Sequence, residues 1–508
     1  MTHRYAALDI GSNSVHMIIV EVSESGAFRT LDREREMLKL GAGTFAGRRI
    51  RDERVAETRA VMQQFVALTK RWDVDEVLAV ATSAVREAEN GQSLLDAIYD
   101  DTGLRIRLIE GDDEARLIWK GVSQAIDLRK RRALVIDVGG GSVELILGDA
   151  ERVYTIDSLP LGVQRLRDFY AKDDPLPSAA REELLRHIGL VAGPAAGRIG
   201  RVGFDVAIVT SGTLLSLGLA AIRARGLDPW TALDGQVIST RELRDLAAQL
   251  LAMDEKERLR VPGIDERRAD TAHLAAALAV ALLDRLGVNE VQLSTATLRE
   301  GLVVERLAED GITPHPDVRR QSVMTLVERL RPDRGRSGRA HVAQLALQIF
   351  DGLRSTHGLG ARERELCEYV AHLADVGESI AFAGHEHLAF HLTRGGGLRG
   401  FTSAEIDILA LAARYHRKGQ PKPRHHHFAD LDTVARQVVK VLAGVVRMAD
   451  ALDRGRTAAV ERVSVDVGRR RVDLLVHGRD VSLELWAARR QTQLLARALD
   501  RELVVSER

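Results

Sequence analysis

The chain has only one cysteine, Cys367, among 508 residues. No internal disulfide can form, which excludes a disulfide-stapled scaffold and predicts a reducing, cytoplasmic setting. No run approaches the ~20 uninterrupted apolar residues of a membrane span, so no membrane association is expected. Residues Met1 to Ser14 lack the basic and apolar regions of a secretory leader and read as a strand and a polar turn. Net charge is absent too: 73 basic side chains balance 73 acidic ones. Bulk charge therefore announces no polyanionic partner, no nucleic-acid partner is expected, and any anion must be held by local basic patches. What remains is an ordinary globular composition, 45% hydrophobic and 29% charged. The chain is too long for one core, and about three or four domains are expected.

The first three hundred residues alternate strand-like and helix-like runs. Tyr5 to Ile10 and Val15 to Val22 are apolar and are separated only by Gly11-Ser12-Asn13-Ser14, which predicts a hairpin. Helical spacing follows over Arg51 to Trp72 and Glu110 to Val122, with a strand at Glu76 to Ala81. The opening pattern then returns: Ala133 to Val138, the turn Gly139-Gly140-Gly141-Ser142, and Val143 to Leu147. Two strand–turn–strand units of this kind predict a duplicated α/β architecture. From about residue 310 helical patterns dominate, as in Ala340 to Leu353, Ala361 to Leu373 and Ala404 to Tyr415. The tail from Val463 reads strand, strand, helix, strand. Boundaries are expected near Thr313-Pro314-His315-Pro316 and Arg454-Gly455-Arg456.

Two constellations carry chemistry. In Asp9-Ile10-Gly11-Ser12-Asn13-Ser14, the glycine permits a tight turn whose N–H groups and hydroxyls can face a phosphate, and a strand-end carboxylate can hold Mg²⁺ through water. In Asp137-Val138-Gly139-Gly140-Gly141-Ser142-Val143-Glu144, three glycines after a buried strand fit a ligand brought very close to the backbone. The spacing is neither that of a Walker A loop nor of a dinucleotide fingerprint. A polar hairpin and a mobile loop are the bland alternatives. Together the two turns resemble the acetate/sugar kinase, heat-shock chaperone and actin superfamily, in which phosphates sit between two halves.

Further segments narrow the resemblance: Ala81 to Asn90, Gly111-Asp112-Asp113-Glu114-Ala115-Arg116-Leu117-Ile118, Ser158-Leu159-Pro160-Leu161-Gly162, Ser211-Gly212-Thr213 and Leu298-Arg299-Glu300-Gly301-Leu302. With these the chain resembles the exopolyphosphatase / guanosine pentaphosphate phosphohydrolase (Ppx/GppA) family, in its long form. The resemblance implies an α/β fold of duplicated actin-like ATPase (ribonuclease H-like) halves over residues 1–130 and 131–310. An all-α HD-like domain over 311–457 and a small α/β domain over 458–508 would follow. It implies that Glu114 activates or orients the attacking water, although Asp112, Asp113 and Glu114 also suit a helix N-terminus. Asp9, Asp137 and Glu144 would position Mg²⁺ or water. Gly11 to Ser14 and Gly139 to Ser142 would cradle phosphate. Arg86 would reach a bound phosphate, and Gly212 and Thr213 would line the cleft.

The helical part resembles an HD-domain module, which binds metal through a His, a His-Asp doublet and a distal Asp. His341 and Asp450 fit the outer positions. Ala374 stands where the doublet histidine belongs, beside Asp375, so a structural or ligand-guiding role is expected. Two basic clusters are candidates for a channel that holds a long polyanion: Arg414, His416, Arg417 and Lys418 with Lys422, Arg424 and His425 to His427, and Arg329, Arg331, Arg334, Arg336 and Arg339. The function expected from the resemblance is hydrolysis of the terminal phosphate of inorganic polyphosphate with Mg²⁺, in a homodimer. Hydrolysis of guanosine pentaphosphate is the nearest rival. A non-catalytic sensor of polyphosphate or guanosine tetraphosphate, and a kinase run backwards, are further ones.

Overall fold

The structure, a computed structural model, describes residues 3–23, 26, 28–129, 131–226, 233–312, 317–330 and 337–508. The expected boundary at Thr313 to Pro316, and Arg331, Arg334 and Arg336 of the second basic cluster, lie outside the described residues. The chain divides into two compact units, Met1–Pro316 and Asp317–Arg508.

The first unit holds two sheets. One is built from β1 (His3–Ile10), β2 (Val15–Val22), β3 (Phe28–Glu36), β4 (Glu76–Ala81) and β5 (Arg107–Leu108), in the order β3-β2-β1-β4-β5. The other contains β6 (Ala133–Val138), β7 (Val143–Gly148), β8 (Val153–Leu159), β9 (Val206–Thr210), β10 (Val237–Ser239) and β11 (Glu290–Leu293), in the order β10-β11-β9-β6-β7-β8. Each sheet opens with an antiparallel three-strand meander and then adds a parallel strand beside its first one. The Gly turns are the tight links of these meanders, which is why four residues suffice at each.

Side-chain alternation decides what each strand end faces. On β1, Ala6, Leu8 and Ile10 pack in one core with Met62, Phe65 and Leu94, whereas Tyr5 and Ala7 pack in another with Leu117, Ile118, Leu302 and Val303. Val135 of β6 and Ile146 of β7 join that second core. With a period of two, Asp9, Asp137 and Glu144 end on the faces turned to this shared layer.

Two helices fill the layer, Gly111–Ser123 and Leu298–Glu309. They approach so closely that a Cβ on Gly301 would lie 1.8 Å from the Leu117 carbonyl oxygen, and one on Gly121 would lie 2.2 Å from that of Thr297. This contact fixes the height of Glu114 in the layer. Gly301→Ala is expected to cost at least about 1–3 kcal/mol by overpacking, read as a lower urea midpoint.

In the second unit the helices Val318–Leu330, Ser337–Gly352, Ala361–Leu373, His385–Gly395, Ser403–Arg414 and Thr433–Ala451 precede a small sheet of β12 (Val460–Val467), β13 (Arg471–Gly478) and β14 (Glu502–Glu507). Helices and sheet share one hydrophobic core: Val445, Val472, Leu474 and Leu495 belong to the same cluster. Among the described residues, no helix is long and apolar enough to cross a membrane.

Candidate active site

A cleft of about 380 Å³ in the first unit brings most of the expected residues together. It is lined by Asp9, Gly11 to Ser14, Glu114, Asp137, Gly139, Gly140, Ser142, Gly212 and Thr213. The turns are closed by Gly11 N–H donating to the Ser14 carbonyl (3.1 Å) and Gly139 N–H donating to that of Ser142 (3.0 Å). Such closure leaves the intervening N–H groups outside the strand ladder, free for an anion.

The glycines have a reason the sequence did not reveal. A Cβ on Gly140 would sit 2.9 Å from the Ser12 Cβ, and one on Gly141 would sit 2.2 Å from the Ser83 Oγ. The turns therefore need glycine to pack against each other. The contact is tied down by the Ser12 and Ser83 hydroxyls, 2.9 Å apart, and by Gln164 Nε2 donating to Asn13 Oδ1 at 3.1 Å.

The strand register then places the acids. Asp137 lies directly opposite Glu144, whereas the equivalent partner of Asp9 is His16. Like charges opposed across a ladder repel, and here both are buried. Burial is the main cause that raises the Asp9 carboxyl to about 6, against the nearby Arg299 cation. Burial likewise raises Glu144 to about 7, opposed by hydrogen bonds from the Ser142 and Ser158 hydroxyls, the latter 2.9 Å long. Burial, then Glu144 and Asp9, push Asp137 well up. Glu114 is held well above its ordinary value by burial and by Glu144, Asp9 and Asp137. Arg86, 3.9 Å away, acts in the opposite sense. Arg86 itself donates to the Ile109 carbonyl and pairs with Glu110 at 3.8 Å, so it braces the start of the Glu114 helix.

Four acids thus converge, and Asp9 Oδ1 and Glu114 Oε2 are buried without a hydrogen-bond partner. Oxygen-only donors with uncompensated negative charge fit a hard divalent cation such as Mg²⁺. A stability prediction follows. The folded state raises these carboxyls above their unfolded values near 4, so it prefers them protonated. Without cation, their contribution to stability declines as pH rises from about 4 through 6 and 7. In EDTA the melting temperature of the unit is expected to fall between pH 5 and pH 8, and Mg²⁺ is expected to restore it at pH 8 with little effect at pH 5. An Mg²⁺ response that is equal at both pH values would contradict the assignment.

Several cleft residues had no role assigned from sequence, Arg299 and Arg268 among them. Arg299 is the cation beside Asp9 and Asp137, with Nε and Nη2 held by the Thr297 hydroxyl at 3.2 and 3.1 Å. Arg268 donates to the Thr213 hydroxyl at 2.9 Å, and its guanidinium lies 2.4 Å from where a Cβ on residue 212 would be. Burial lowers the Arg268 guanidinium to about 10. Arg299 lies inside the Leu298 to Leu302 motif, which was the available signal. Arg268 lies in none of the motifs.

The profile of the Ppx/GppA phosphatase family matches residues 18–310, and that of Ppx/GppA phosphatase, domain III, matches residues 318–502. This chain belongs to the Ppx/GppA phosphatase family. It is an enzyme of the Ppx/GppA type, from a family whose characterised members act as exopolyphosphatases or guanosine polyphosphate phosphohydrolases. A solved exopolyphosphatase from Cytophaga hutchinsonii is 30% identical, with a TM-score of 0.57 over 61% of this chain and 99% of its own length. A Ppx/GppA family member from Aquifex aeolicus is 24% identical, with a TM-score of 0.52 over 61% and 99%.

Within Ppx/GppA domain III, the structure separates the residues of the basic clusters. His416 is 0% exposed and faces Asp375, which corrects its assignment to a polyanion channel. Arg414 and Arg417 are half-buried, with their guanidiniums over the Phe390 and Phe382 rings, and Lys418 is exposed. Arg339 is buried too: it donates to Asp375 at 2.7 Å and Asp450 at 2.6 Å, so it serves no surface. A buried His/Asp cluster able to coordinate a divalent metal ion is present, formed by Asp375, His385 and His416.

Proposed function

We propose that this chain hydrolyses the terminal phosphoanhydride of inorganic polyphosphate. The observation that carries the reading is the convergence of Glu114, Asp9 and Asp137 on two glycine turns in one cleft, with Glu144 buried beside them. The two sheets are read as duplicated actin-like halves, residues 1–130 and 131–310, because both repeat the same meander and parallel addition. The second unit is read as an HD-like helical part, 311–457, with a small α/β part, 458–508. A cytoplasmic homodimer completes the proposal.

The terminal phosphate is cradled by the backbone N–H groups of Ser12 to Ser14 and Gly140 to Ser142. Asp9, Asp137 and Glu144 would hold Mg²⁺, which when bound offsets charge on the phosphate oxygens. Glu114 takes a proton from the attacking water. The new bond joins that water's oxygen to the terminal phosphorus, the bridging P–O bond breaks, and the shortened chain leaves with the bridging oxygen. Burial and three neighbouring acids raise the proton affinity of Glu114, which is the property a base needs. Arg299 and Arg268 supply fixed positive charge at the cleft, and Arg86 braces the helix that carries Glu114.

Polyphosphate is preferred as substrate because the relative at 30% identity is an exopolyphosphatase. Guanosine pentaphosphate is the second reading. It is favoured by Ser211 to Thr213, which open a helix against the cleft as a nucleotide loop would. The test is kcat/KM for both substrates with Mg²⁺ on one preparation. The polyphosphate value is expected to exceed the other by at least about tenfold, which corresponds to about 1.4 kcal/mol. The reverse ratio would give the chain to the nucleotide.

A further inference from the structure

The HD-like part lacks its doublet histidine at Ala374, yet three groups from two helix connections meet beside it. Asp375 follows the Ala361–Leu373 helix, His385 begins the next, and His416 follows the Ser403–Arg414 helix. Their exposures are 2%, 1% and 0%. Taking the ion out of water at such depth requires ligands that are already in place, and these side chains are.

The imidazoles are oriented by their second nitrogens. His385 Nδ1 lies 3.0 Å from the Phe382 carbonyl and His416 Nδ1 lies 2.6 Å from the Ala413 carbonyl. A carbonyl cannot donate, so each Nδ1 carries a proton, and in the neutral imidazole each Nε2 then presents a lone pair to the centre of the cluster. A backbone carbonyl behind a ring is the arrangement that orients metal-ligating histidines. Arg417 Nη1, 3.5 Å from His385 Nδ1, and Glu386 Oε2, 3.8 Å from it, are the charged neighbours on that side.

Both Nε2 atoms are buried without a hydrogen-bond partner. Their distances to the same oxygen, Asp375 Oδ1, are 3.6 Å for His385 and 3.3 Å for His416. Ligand atoms about 2.0–2.1 Å from a common ion are about 3.3–3.4 Å apart at the tetrahedral angle. The His416 spacing lies at that value and the His385 spacing slightly beyond it.

The other carboxylate oxygen explains why one ion suffices. Asp375 Oδ2 accepts from Arg339 Nη1 at 2.7 Å, and the same Nη1 reaches Asp450 Oδ1 at 2.6 Å. Arg456 lies 3.6 Å from Asp375 Oδ2. A guanidinium thus fills the place between Asp375 and Asp450, where a second cation would have to bridge the two acids.

We infer that Asp375, His385 and His416 form a mononuclear site for a first-row transition ion of the Zn²⁺ class, distinct from the Mg²⁺ assigned to the catalytic cleft. Two imidazole nitrogens select ions of that class, whereas Mg²⁺ demands oxygen. The ion ties two helix connections to one point, so its effect falls on the stability of the second unit.

The test uses the full chain, stripped with EDTA and titrated with Co²⁺ in the presence of excess Mg²⁺, followed by d–d absorption and by metal analysis after gel filtration. Wild type is expected to retain about one equivalent of Co²⁺, displaceable by Zn²⁺, and to melt at a higher temperature with it. His385→Ala and His416→Ala are expected to lose that equivalent. The double variant His426→Ala/His427→Ala, which removes the exposed group formed with Asp430, is expected to keep it. Failure of the wild type to retain Co²⁺ would overturn the inference whatever the variants do. So would an equivalent that survives in both His385→Ala and His416→Ala, or one lost only when His426 and His427 are replaced.

Discussion

Glu114→Gln is expected to lower phosphate release from polyphosphate by about 10²–10⁴-fold, the range a positioned base contributes, while substrate affinity changes little. The amide keeps the shape of the side chain and its place on the Gly111–Ser123 helix. It replaces one carboxylate oxygen by an amide nitrogen, and it removes the ability to take a proton. It also removes one of four mutually repelling acids, so the variant is expected to be no less stable than wild type. Turnover within about threefold of wild type would withdraw Glu114 from the chemistry. A fall in turnover with a matching loss of stability would point to the helix N-terminus role that its neighbours Asp112 and Asp113 also suit.

Arg299→Ala is expected to reduce kcat by about 10²–10³-fold, the cost of deleting one preorganised donor at a site of developing charge. Arg299 is half-buried in the cleft wall, and its charge acts on Asp9 and Asp137 at once. In that environment a cation is worth far more than on the surface, where screening would cut its effect. Arg299→Lys is expected to recover part of the loss, because the charge returns without the fork that grips the Thr297 hydroxyl. Steady-state kinetics at saturating Mg²⁺ and a melting curve on the same samples decide the matter. An unchanged kcat would make Arg299 a structural partner of the acids only.

Much of the site could be read from sequence because its parts lie at strand ends. The hairpin at Gly11 to Ser14 and its counterpart at Gly139 to Ser142 sit where apolar runs stop, and both strands of each pair were found within one or two residues. Helices with a clear apolar face were equally legible: Ala361–Leu373 agrees at both ends, and Asp52–Arg71 to within one residue. The edge strand β3 was not, since its sequence, Phe28-Arg29-Thr30-Leu31-Asp32-Arg33-Glu34-Arg35-Glu36, is dominated by charge and carries no strong strand pattern. Yet it contributes Arg33 and Arg35 to the cleft.

Tertiary neighbours were the illegible part. Among many arginines, nothing local marks Arg268 as buried against Thr213, or Arg339 as the cation between Asp375 and Asp450. His416 looked like one more member of a basic run because its neighbours Arg414, Arg417 and Lys418 are basic. Its burial depends on Asp375, more than forty positions earlier, as about eleven turns of helix would count. The reason for Gly140 and Gly141 was hidden for the same cause: each is small for the sake of Ser12 or Ser83, in the other sheet's turn and its neighbouring helix.

The central claim is that water, positioned by Glu114 between the two glycine turns, attacks the terminal phosphorus of a polyphosphate chain. The most direct measurement is hydrolysis of polyphosphate in H₂¹⁸O with Mg²⁺, with ADP present, followed by mass analysis of the phosphate released. The account predicts one ¹⁸O in each released phosphate, no ATP, and loss of the labelled product in Glu114→Gln. Unlabelled phosphate, or shortening of the chain matched by ATP formation, would contradict it.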